Sequence, residues 1–189
     1  MHRLAFSSLL PGLVAAAVLA TGAVAHAGPY AGADLDIGVP LHATDAAYGL
    51  GAGGRLGWRF DLGDAWIAPE VGGHYLAFQA GTGGASIGAS DTQEHVARVF
   101  GGARFGLAGR VQPAFYGHLG AGWLAAHSVG PAFDVGMALD LALVPHFTFG
   151  AQLGYNVVAL WHSADPSSSA TPPHVVRWIN LGLHAGVAY

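Results

Sequence analysis

Eight stretches of this chain alternate apolar residues with polar ones or glycine at a period of two, following one another from residue 31 to residue 189. One such stretch is weak evidence. Eight in series, with turn residues between them, predict β-strands that show one face to an apolar medium and the other to a polar or tightly packed one. The first sets Ala31, Ala33, Leu35, Ile37 and Val39 against Asp34 and Asp36. The second sets Tyr48, Leu50, Leu56, Trp58 and Phe60 against Arg55, Arg59 and a series of glycines. In the third, Ile67, Val71 and Tyr75 oppose Glu70, Gly72 and His74; in the fourth, Val99, Phe105 and Leu107 oppose Arg98 and Arg104. The fifth turns Phe115, Leu119 and Trp123 away from Tyr116 and His118, and the sixth turns Phe133, Met137 and Leu141 away from Asp134 and Asp140. The seventh pits Phe147, Phe149, Leu153 and Tyr155 against Gln152 and Asn156, and the last pits Ile179, Leu183 and Tyr189 against Asn180 and His184.

The links between these stretches alternate in length. Short ones lie at 61–64, 108–111 and 144–145, and longer ones at 40–46, 80–94, 127–130 and 159–173. An even strand number with short turns on one rim and longer loops on the other describes a transmembrane barrel. The expected fold is therefore all-β: an eight-stranded antiparallel up-and-down transmembrane β-barrel. A strand of about 12 residues is about 40 Å long, and tilted by about 40° it covers the apolar band of about 25 Å.

Composition decides which face meets which medium. Charged residues make up only 10% of the chain, against about a quarter in soluble proteins. A soluble barrel would have to turn its polar face to water, and here that face is half glycine. The aromatics of the apolar face sort to its two ends. Trp58, Phe60, Phe105, Phe115, Phe147, Phe149 and Tyr189 lie toward the short turns; Tyr48, Tyr75, Trp123, Phe133 and Tyr155 lie toward the long loops. Two aromatic girdles around an aliphatic band match two membrane–water interfaces. The basic residues are arginines dispersed singly, which gives nucleic acid no patch to bind. The chain has no cysteine, so disulfides and thiolate chemistry are excluded.

Residues 1–27 are expected to be a secretory signal peptide, with residues 28–189 forming the barrel. His2 and Arg3 precede an uncharged apolar run over 4–25, and Ala25-His26-Ala27 has the small-x-small cleavage pattern. A run of about 20 apolar residues is also long enough for a membrane anchor. Pro11 and the small residues around Gly22 favour cleavage.

The inward positions define the candidate site. Eight strands enclose only enough room for side chains, so no open pore is expected. Asp34, Asp36, Arg55, Arg59, Glu70, His74, Arg98, Arg104, His118, Asp134, Asp140 and His184 are expected to form a polar plug, because buried charges must be paired or solvated. The many inward glycines either ease bending in a tight barrel or make room for the arginines, Tyr116 and Trp178. A hairpin register summing to about 126 places Arg55 near Val71, and one of about 173–174 places Glu70 across from Ala103 or Arg104. Glu70 is thus expected between Arg55 and Arg104. No cofactor and no metal are expected, since no histidines have ligand spacing with a carboxylate. His162, Ser163 and Asp165, like His127 and Ser128, have the residue types of a hydrolase but lie adjacent in sequence, where they rarely point at one another.

The chain resembles the small eight-stranded outer-membrane barrels of Gram-negative bacteria, the outer-membrane protein A and X type, over residues 28–189. The resemblance rests on the pattern of strands and on the terminal aromatic Tyr189. It implies a bacterial outer-membrane location, lipids and lipopolysaccharide as surroundings, and a monomer. It also implies that Tyr189 is part of the signal read by the barrel-assembly machinery. Three function classes follow: a structural or surface-interaction barrel in the cell envelope, a narrow conduit for small solutes, and a lipid-modifying enzyme, either a hydrolase or an acyltransferase. The first is favoured, because the lumen is charge-plugged and no convincing catalytic set is present.

Overall fold

The computed structural model describes residues 26–41, 48–79, 94–124, 128–160 and 174–189. Among them every regular element is a strand: β1 (His26–Pro40), β2 (Gly49–Asp61), β3 (Ala65–Phe78), β4 (Glu94–Leu107), β5 (Val111–Leu124), β6 (Ser128–Val144), β7 (Phe147–Leu160) and β8 (His174–Ala188). Each strand pairs antiparallel with the next, and β8 returns to β1 from Tyr30↔Ala188 to Pro40↔Trp178. The sheet is a closed barrel. Closure leaves no strand edge unpaired, which a hydrocarbon environment requires.

Side-chain alternation now has a fixed sense. Even-numbered residues face the lumen on every strand except β2, where odd ones do, as the buried charged residues show. Outward side chains stand clear of the wall, with Leu35 68% and Leu119 69% exposed. Together with the inverted polar interior, such an exterior is suited to lipid rather than water. This is a transmembrane barrel.

Two features depart from the sequence reading. The strands run further toward the long loops than alternation indicated: β6 begins at Ser128, β7 continues to Leu160 and β8 begins at His174. There both faces are apolar, so the period of two fades while backbone pairing continues, as at Val158↔Val176. The β2–β3 and β3–β4 registers also differ from the expected sums. Arg55 lies opposite Gly72 rather than Val71, and Glu70 opposite Gly102 rather than Ala103 or Arg104. The expected sum of 126 would have paired an inward residue with an outward one. The observed register pairs inward with inward, which the pleat demands.

The short turns supply the remaining local constraints. Gly63 and Gly109 take positive φ values of 83° and 142° in the β2–β3 and β4–β5 turns, where a side chain would be strained. In the β6–β7 turn it is His146 that takes the left-handed conformation, at φ 69°. Its Nδ1 bonds the Ala188 carbonyl at 2.7 Å, and its ring stacks on Tyr189 at 5.5 Å. The turn conformation thus carries the ring that holds the end of β8.

Candidate functional site

The lumen is stratified. Toward the long-loop end, Leu76, Phe78, Val96, Ala132, Val158, Val176 and Trp178 form one buried apolar cluster, with Leu124 against it. Trp178 and Phe78 meet edge to face at 6.2 Å, a favoured aromatic geometry. Gly38 and Gly49 complete the ring by yielding space, since a Cβ there would lie 2.7 Å from Leu76 and 2.9 Å from Phe78 respectively. Toward the short turns, Trp66, Ala68, Ala114 and Ala138 form a second, smaller cluster. Alternation alone puts polar residues, glycines, Tyr116 and Trp178 inside, and does not reveal these two clusters.

Between the layers lies a network of buried charges. Glu70, 3% exposed, receives Arg55 Nε at 3.7 Å, Arg104 Nε at 3.6 Å and His118 Nε2 at 2.8 Å. Asp134 receives Arg98 Nη1 at 3.0 Å and His118 Nδ1 at 3.0 Å. Arg55 also pairs with Asp34 and donates from Nε to the Tyr30 hydroxyl at 2.6 Å. His74 pairs with Asp36, and His184 with Asp140. Asp36 accepts two amide hydrogen bonds as well, from Gln152 at 3.1 Å and Asn180 at 3.2 Å. Arg104 and Arg98 lie over the rings of Tyr116 and Phe100, at 5.1 and 5.5 Å. Charges withdrawn from water persist when paired in this way.

Glycines make the pairings possible. Glu70, Gly102, His118 and Asp134 occupy one cross-strand row, and so do Asp140, Gly150 and His184. Glu70 and His118, like Asp140 and His184, are thus two strands apart, about 9–10 Å along the row, and each of these pairs meets over a residue with no side chain. A Cβ on Gly150 would lie 2.6 Å from the Asp140 carboxylate and 2.9 Å from His184 Nε2. One on Gly102 would lie 2.7 Å from the His118 ring and 2.1 Å from the Gly117 carbonyl. Of the two explanations for inward glycine, making room is the one these contacts exhibit.

Arg59 sits apart from this network. It stands at the short-turn mouth, pairing with Asp61 at 2.8 Å, bonding Gln112 at 3.2 Å and covering Trp66 at 4.6 Å. Below it the mouth widens into a vestibule of about 540 Å³ lined in part by Arg59, Arg110, Gln112, His146 and Tyr189. The girdle residues Tyr48, Trp58, Tyr75, Phe105, Phe115, Phe133, Phe147, Phe149 and Tyr189 are outward and exposed, while Phe60, Trp123 and Tyr155 are half-buried. Tyr75 stacks on His95 at 5.6 Å and bonds its Nδ1 at 2.6 Å. His127, His162, Ser163 and Asp165 lie outside the described residues, as does the side chain of Ser128. Among the described residues, no group of three or more acidic or histidine side chains has metal-binding geometry.

No family model matches this chain, and no curated protein matches it in sequence. Solved structures do match. The crystal structure of Neisserial surface protein A superposes with a TM-score of 0.59 at 16% identity, over 87% of this chain and 99% of that one. The outer-membrane enzyme PagL follows with a TM-score of 0.54 at 12% identity, over 80% of this chain and 97% of that one. The chain has the fold of the small eight-stranded outer-membrane β-barrels. At such identities the likeness is one of fold, and it extends over nearly the full length of both known structures.

Proposed function

We propose that this chain resides in the Gram-negative outer membrane, exported by a leader over residues 1–27. Its closed barrel serves as a scaffold for the longer loops of the rim opposite the short turns, in a structural or surface-interaction role. The observation that carries this reading is the filled lumen: a paired charge network capped at the long-loop end by a packed apolar cluster. A solute conduit would need a continuous polar path, and the Leu76–Trp178 cluster interrupts it. Lipid and lipopolysaccharide surround the girdled exterior, and the barrel acts as a monomer. Planar-bilayer recordings on refolded protein are expected to show no discrete conductance steps, and steady single-channel currents would overturn the closed-scaffold reading. Epitope tags placed within 80–93 and 161–173 should be reachable on intact cells. Tags reachable only after lysis would reverse the topology.

The barrel-assembly machinery is the second partner in this proposal, with Tyr189 as part of the signal it reads. Tyr189 is 66% exposed on the outer face of the short-turn rim, a position suited to an interfacial aromatic. Its backbone N–H donates to the Pro29 carbonyl at 3.1 Å, beside the β8–β1 closure. Tyr189→Asp is expected to reduce the folded, heat-modifiable form in the membrane severalfold while export continues. Normal membrane levels of the variant would count against both the anchoring and the signalling role.

A further inference from the structure

The fixed charges of the buried layer do not balance. Among the described residues, five buried carboxylates (Asp34, Asp36, Glu70, Asp134 and Asp140) face three buried guanidinium groups (Arg55, Arg98 and Arg104). Two negative charges are left over among buried groups, where uncompensated charge is costly. The buried groups suited to supply the missing protons are His74, His118 and His184. Each of the three sits on a carboxylate.

His118 differs from the other two. Its Nε2 lies 2.8 Å from Glu70 and its Nδ1 3.0 Å from Asp134, so both ring nitrogens face carboxylate oxygens. An ionised carboxylate only accepts, whereas a neutral imidazole offers one N–H and one lone pair. Both contacts are therefore satisfied together only when the ring carries two protons. The other neighbours of this assembly keep the two acids ionised. From β4, Arg98 reaches Asp134 and Arg104 reaches Glu70; from β2, Arg55 reaches Glu70. The ring itself packs between Phe100 and Tyr116, at centroid distances of 4.4 and 5.2 Å.

We propose that the lumen is a proton-dependent clasp. His118 is a buried imidazolium joining Glu70 of β3 to Asp134 of β6. The clasp ties together strands that are not neighbours in the sheet, through a ring that fits only over Gly102.

Nitrogen-resolved NMR of the histidine rings, on the full chain refolded in detergent at pH 8, tests this directly. An isolated histidine is neutral at that pH. The expected result is two ring N–H groups on His118. A singly protonated His118, including one facing a protonated Glu70, would overturn the clasp.

Discussion

Glu70→Gln is expected to destabilise the barrel by about 3–5 kcal/mol, the usual cost of removing one partner from a buried ion pair. The substitution keeps the shape of the side chain and deletes its charge. Arg55, Arg104 and His118, all buried, then face a neutral amide. The amide also adds two donors to a pocket whose other groups toward Glu70 are themselves donors, so one hydrogen bond is lost and a new polar conflict is created. Asp64→Asn is the matched control, since Asp64 is exposed in the β2–β3 turn. Surface changes of that kind stay within about 0.5 kcal/mol. Urea midpoints of the two refolded variants in detergent are the measurement. Equal midpoints would show that Glu70 does not anchor the lumenal network.

The strands and their facing were legible in the sequence because a barrel wall between lipid and a polar interior enforces alternation residue by residue. Parity alone put Glu70, Arg55 and Arg104 on one face. It could not choose among registers two residues apart, and the expected β2–β3 sum was out by one. The apolar layers left no such trace. At Tyr75-Leu76-Ala77-Phe78 both faces are apolar, as they are at Val157-Val158-Ala159. A pattern with no contrast reads as the end of a strand, although the lumen is there most tightly packed. The part played by His118 was hidden for another reason. Its contact with Glu70 crosses an intervening strand over Gly102, and such contacts depend on which glycine falls in which row. Pairwise hairpin registers that are off by one or two residues cannot supply that.

Trp178→Ala is the second change expected to have a large effect. Trp178 is 0% exposed and packs edge to face on Phe78, with Leu76, Val158 and Val176 in the same cluster. Truncating a fully buried tryptophan costs about 3–5 kcal/mol, because transfer free energy is lost and a cavity is left behind. Relaxation is limited here, since each neighbour is fixed to a hydrogen-bonded wall. Trp58→Ala, which removes a half-exposed indole from the lipid face, should cost distinctly less. If the two variants lose the same stability in urea, the long-loop cluster is not a packed core. The same variant separates the two barriers in the lumen. The cavity, lined by Leu76, Phe78 and Val176, also has Asn156 directly across the β7–β8 pair, while the paired charge layer beneath remains intact. Trp178→Ala should therefore be less stable and still non-conducting in planar bilayers. Discrete currents through it would mean that the apolar layer alone seals the barrel, and that the charges serve stability without forming a barrier.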